Sequence, residues 1–225
     1  MKLVISFGLI LLIVSCQGTS NMESYTYLAL GDSYTIGESV PLESSFPFQV
    51  YERLNNDGLD MAKPVIIAKT GWTTDELQDA IDPEALTPPY DLVTLLIGVN
   101  NQYRGRDIHN YNIEFKDLLQ QAIMLTGGEP ENVIVISIPD WGVTPFAANR
   151  DRETISKEID EFNRINYTHA QEAGVHYVDV TGISRTAKAD SALIADDGLH
   201  PSIRMYTLWT EKIVPQAKAL LTSKK

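Results

Sequence analysis

Cysteine is nearly absent. The 225-residue chain holds one, Cys16, so no internal disulfide can staple it. Histidine is scarce too, with four in all. No His-x-x-x-His pair and no cysteine cluster supplies the ligand spacing of a zinc site, so neither a metal nor a cofactor is expected. The apolar stretch at residues 3–14 is too short to span a bilayer. Basic residues are outnumbered by acidic ones, 18 against 30, which leaves a formal charge of −12. Such a surface repels polyanions, so nucleic acid is not an expected partner. Repeats, low-complexity tracts and charge blocks are also missing, and nothing marks a domain boundary after Glu23.

What the chain does contain begins with Lys2 and the apolar residues 3–14, the charged start and h-region of a signal peptide. The stretch closes with Ile13-Val14-Ser15-Cys16, which resembles the lipobox of bacterial lipoproteins. That resemblance implies removal of residues 1–15, lipid on the Cys16 sulfur and its new amino group, and a polar tether over residues 16–23. It also implies a place in the bacterial cell envelope, with the membrane reached through the anchor. Several acyl chains at roughly 0.8 kcal/mol per buried CH₂ hold such an anchor firmly. A plain signal peptide with an incidental thiol is the alternative. Residues 24–225 then form one domain long enough for a sizeable core.

Short apolar runs of strand length fall at 25–30, 65–68, 92–97, 133–138 and 175–180. Helical patterns lie between them. Over 108–126, Ile108, Tyr111, Phe115, Leu118, Leu119, Ala122 and Ile123 follow helical spacing, and Gly127-Gly128 ends the run. Over 154–173 the stripe is Ile155, Ile159, Phe162, Ile165 and Ala170, closed by Gly174. Thr73-Thr74-Asp75-Glu76 has the form of a capping box. A last helix carries Tyr206, Trp209, Ile213 and Leu220, and Pro215 is expected to kink or split it. Strand–helix alternation predicts a three-layer α/β/α sandwich on a five-stranded, mainly parallel sheet.

In such a sheet the loops after the strands share one edge, where sites form. The apolar run Tyr27-Leu28-Ala29-Leu30 ends in Gly31-Asp32-Ser33. A serine hydroxyl is a poor nucleophile until a base takes its proton, and Asp197-Gly198-Leu199-His200-Pro201 supplies one near the far end. His200 is placed to accept the Ser33 proton and return it to the leaving group, with Asp197 holding the other ring nitrogen. Attack on an ester carbonyl creates an oxyanion. Candidate donors are the backbone N–H groups of Ser33 and Gly71 and the side-chain amide of Asn100, each typically worth about 10²–10³ in kcat.

Gly31-Asp32-Ser33, Gly71, Gly98-Val99-Asn100 and Asp197-Gly198-Leu199-His200 together resemble the four blocks of the SGNH (GDSL) hydrolase family, in the family's order. The resemblance implies a flavodoxin-like fold and ester hydrolysis through an acyl-enzyme. It places the triad on Ser33, His200 and Asp197, and the oxyanion hole on Ser33, Gly71 and Asn100. Two positions depart from the pattern: Tyr34 stands where leucine is frequent, and Asn101 where the third block usually has aspartate. The Gly-x-Ser-x-Gly elbow of the α/β-hydrolases is missing, which argues against that fold.

Tyr34, Trp72, Asn101, Tyr103 and Trp141 are candidates for lining the substrate, and Phe146 shares their loops. Arg104 and Arg106 offer either a solvated surface or a clamp for an anionic substrate group. His109, His169 and His176 read as surface or packing residues. The substrate is a small-molecule, lipid or glycan ester: a carboxylester, lysophospholipid, acyl thioester or acetylated sugar. Two rivals remain: a phosphate- or flavin-binding loop, which the Asp32 carboxylate opposes, and a catalytically silent surface binder of glycan or lipid with the same fold.

Overall fold

The computed structural model describes residues 24–81 and 85–223. The expected signal peptide, Cys16 and its tether lie outside them. Five parallel strands form one sheet in the order β2-β1-β3-β4-β5: β1 Tyr27–Gly31, β2 Val65–Ala68, β3 Leu92–Leu96, β4 Val133–Ile136 and β5 His176–Val178. Every residue of β1, β3 and β4 is buried. That explains their largely apolar sequence, since a parallel sheet is covered on both faces. The edge strands β2 and β5 are less buried.

The helices between strands are α1 Ser33–Ile36, α2 Phe46–Asn56, α3 Thr74–Ala80, α4 Val99–Tyr103, α5 Ile108–Leu125 and α6 Arg152–Ala173, and α7 Thr181–Arg185 and α8 Ile203–Thr222 follow β5. Their ends have local causes. Asp107 caps α5 by accepting the His109 and Asn110 N–H groups at 2.9 and 3.0 Å. Asp151 accepts the Thr154 N–H at 3.1 Å, which starts α6 two residues before its apolar stripe suggests. At α3, Glu76 Oε2 accepts the Thr73 N–H at 2.9 Å, as a capping box requires.

At the last helix the split that Pro215 could have caused is not found. It runs from Ile203 to Thr222 with Pro215 inside it, and it is not split. Pro215 faces solvent while Ile213, Val214 and Ala217 are buried beside it. Burial of that face against α2 outweighs the one hydrogen bond a proline removes. The core beneath α8 also sets the site. Trp209 is fully buried against Phe46, Tyr206 and Tyr34, and Tyr206 Oη donates to the Tyr34 carbonyl at 3.0 Å. The residue after Ser33 is thereby fixed to the closing helix.

Because β2 and β3 flank β1, the order in which strands are added reverses between β1 and β3, while the strands themselves stay parallel. Ligands bind at the carboxyl edge of such switch points, and the loop after β1 begins there with Asp32-Ser33.

Candidate active site

Gly31 lets the chain turn off β1. A Cβ there would stand 2.5 Å from the Leu96 carbonyl oxygen, so only glycine fits beside β3. Asp32 then caps α1, its Oδ1 accepting the Tyr34 N–H at 3.0 Å. Ser33, the first residue of α1, is buried apart from the edge that faces a cavity.

His200 approaches from the loop ahead of α8. Its Nε2 lies 3.0 Å from Ser33 Oγ and its Nδ1 2.5 Å from Asp197 Oδ2. A carboxylate only accepts, so Nδ1 carries the proton and the Nε2 lone pair faces the serine hydroxyl. The Asp197 carboxylate is itself saturated. Oδ1 accepts the N–H groups of Leu199 and His200 at 2.9 and 3.0 Å, and Oδ2 accepts the Ser39 hydroxyl at 2.6 Å. Partial burial pushes the Asp197 pKa up. The hydrogen bonds from Ser39, His200 and the two N–H groups outweigh it, and hold the carboxyl well below its usual range. Asp197 is therefore an anion at any working pH.

Ser33, Gly71, Asn100 and His200 line one cavity of about 160 Å³. Gly71 sits at φ +87°, a left-handed backbone that suits glycine. Asn100 Nδ2 gives one hydrogen to the Trp72 carbonyl at 2.9 Å, which fixes the amide and leaves its second hydrogen. The apolar wall consists of Tyr34, Val99, Tyr103, Trp141, Phe146 and Leu199. Tyr103, Trp141 and Phe146 pack ring to ring, with centroids 5.4 to 6.1 Å apart. The indole of Trp141 is aimed by Gln102, whose Oε1 accepts its N–H at 2.7 Å.

Two candidate lining residues are placed elsewhere. Trp72 is half-buried against the core and does not line the cavity. Asn101 is fully buried: its Oδ1 accepts the Thr74 N–H at 3.1 Å and its Nδ2 donates to Thr74 Oγ1 at 2.7 Å. An amide satisfies both groups at the start of α3 and leaves no charge in the interior. Arg104 and Arg106 turn away from the cavity toward α3, pairing with Glu76 at 3.3 Å and Asp75 at 3.1 Å. Thr70, Val99, Leu199 and Ser39 were not picked out from sequence. Leu199 stands within the histidine block, but no pattern marks Ser39.

A larger groove of about 460 Å³ runs between α2 and α8, away from these residues. Within it Asp57 lies 2.9 Å from Lys218 and 3.8 Å from Arg53, and no histidine lines it.

Solved structures similar to this chain share its fold. TesA is 21% identical with a TM-score of 0.65, over 87% of this chain and 99% of its own. A lipase/acylhydrolase from Enterococcus faecalis is 22% identical at 0.68, over 87% and 96%. The acetylxylan esterase Axe2 from Geobacillus stearothermophilus is 17% identical at 0.65, over 86% and 94%. No curated protein matches the chain. The GDSL-like lipase/acylhydrolase family matches residues 29–208, most of the sequence and all four blocks around the cavity. The chain thus belongs to the GDSL-like lipase/acylhydrolase family and is a hydrolase of ester bonds.

Proposed function

We propose that the protein is a serine esterase that works through an acyl-enzyme on Ser33. The observation that carries this reading is the unbroken run from Ser33 Oγ to His200 Nε2 at 3.0 Å and from His200 Nδ1 to Asp197 Oδ2 at 2.5 Å. His200 takes the hydroxyl proton as Oγ attacks the ester carbonyl, and the Asp197 anion stabilises the imidazolium. The tetrahedral oxyanion is met by the Ser33 and Gly71 N–H groups and the free hydrogen of Asn100. Collapse expels the alcohol, or thiol, with the proton from His200. Water, deprotonated by the same ring, then releases the acid.

The small apolar cavity favours a short acyl group. Tyr103 and Phe146, each nearly half exposed at the rim, offer flat apolar surface to the remainder of the substrate. Short-chain carboxylesters, thioesters and acetylated sugars fit this shape best; Axe2, an acetylxylan esterase, carries its activity on the same fold. A panel of esters from acetyl upward, with oxygen and sulfur leaving groups, tests this. Short acyl groups are expected to lead, and Ser33→Ala and His200→Ala each to lose about 10³-fold or more in kcat. Activity retained in Ser33→Ala would remove the mechanism.

The lipobox-like Ile13-Val14-Ser15-Cys16 supports a second part of the proposal, a lipid anchor on Cys16 in a bacterial cell envelope. No helix among the described residues is long and apolar enough to cross a membrane. Expressed in a bacterium, Cys16→Ser is expected to move the protein from the membrane pellet to the soluble fraction. Unchanged partitioning contradicts the anchor.

A further inference from the structure

Ser39 is the one non-glycine residue with a positive φ, +68°, among the described residues. In that conformation Cβ crowds the neighbouring carbonyl, so an L side chain is kept there only against a steric cost. A surface turn with no other duty would carry glycine or asparagine. The serine therefore calls for a reason in its hydroxyl.

That hydroxyl donates to Asp197 Oδ2 at 2.6 Å, across 158 positions of sequence. The same oxygen accepts His200 Nδ1–H. The other carboxylate oxygen is held by two backbone N–H groups of its own loop. Ser39 is thus the donor from outside that loop, and it acts on the oxygen that faces the imidazole. Its own segment is tied to the nucleophile: the N–H groups of Gly37 and Glu38 both donate to the Ser33 carbonyl, at 3.2 and 3.0 Å. The residue before it, Glu38, accepts the Thr70 hydroxyl beside Gly71. Left-handed backbone at two nearby residues, Gly37 and Ser39, turns this segment back across the rim.

We propose that Ser39 is a positioning residue for catalysis, fixing Asp197 Oδ2 and through it the ring of His200 relative to Ser33. The proposal rests on the triad put forward above. Asp197 is partly exposed, so water can replace the lost donor in part but cannot reproduce its fixed direction. The effect belongs in kcat, because Ser39 does not line the substrate cavity.

Ser39→Gly is the informative variant, since it removes the hydroxyl and at the same time suits the backbone. It is expected to melt at the temperature of the unsubstituted protein or higher, to keep KM, and to lose on the order of tenfold in kcat on an activated ester. Ser39→Ala is expected to show the same kcat with a lower melting temperature. In an Asp197→Asn background, adding Ser39→Gly is expected to cost less than twofold, because the two residues act as one unit. Full kcat in Ser39→Gly, or an equal tenfold loss in both backgrounds, overturns the proposal. If Ser33→Ala is inactive while Ser39→Gly is fully active, the esterase mechanism stands and only the role of Ser39 falls.

Discussion

At Asp32 the carboxylate has Oδ1 bonded to the Tyr34 N–H, while Oδ2 is buried with no hydrogen-bond partner among the described residues. Burial pushes its pKa up to about 7, against the smaller opposing pull of the backbone N–H groups. The native state therefore keeps a proton that the unfolded chain releases near the ordinary aspartate value, 3.8. Between those two values the folded protein binds more protons than the unfolded one. Stability therefore falls as pH rises from about 4 to about 7, then levels off, at a total cost on the order of a few kcal/mol. Asp32→Asn removes this dependence. Urea melts at pH 5 and pH 8 are expected to show the variant gaining on the parent as pH rises; an equal difference at both pH values contradicts the assignment. The position of Asp32 before Ser33 was legible in the sequence. Its half-satisfied state was not, because that depends on the tertiary packing that buries it. Asn101 teaches the same lesson: its departure from the family block was visible, but its bond to Thr74 appears only once α3 and α4 are adjacent.

Among the elements, α4 governs the geometry of the Gly71 loop. Asn100 and Arg104, one turn apart, hold successive carbonyls: Asn100 that of Trp72 at 2.9 Å, Arg104 that of Gly71 at 2.5 Å. Arg104 is tied in turn to Glu76 of α3. An arginine spent on the protein's own backbone is not waiting for an anionic substrate. Arg104→Ala is accordingly expected to lower kcat by about tenfold, equally for neutral and anionic esters. A loss confined to anionic esters would restore the substrate clamp. Long elements such as α5 and α6 were legible because their apolar stripes repeat over several turns. The five residues of α4 are too few to show a period, so its clamping role could not be read. Of the two outcomes expected at Pro215, a split failed for a different reason: the rule that proline breaks helices holds for an isolated helix, and here α8 is braced along its buried face.

For the molecule as a whole, the sheet order joins a serine and a histidine 167 positions apart. This much was legible, because strand–helix alternation implies parallel strands whose loops gather at one edge; the first three polar blocks follow strand ends and the Asp197–His200 block precedes the last helix. The contact of Ser39 with Asp197 was not, since it depends on a left-handed turn in a segment without a sequence pattern. The account as a whole depends on Ser33 being a nucleophile activated by His200. A fluorophosphonate probe reports on this directly, because it bonds to a serine oxygen that a base has activated and remains attached. Peptide mass spectrometry after incubation is expected to find the adduct on Ser33 alone, with labelling lost in Ser33→Ala and slowed by orders of magnitude in His200→Ala. No adduct on Ser33, or equal labelling in the His200 variant, would contradict the account.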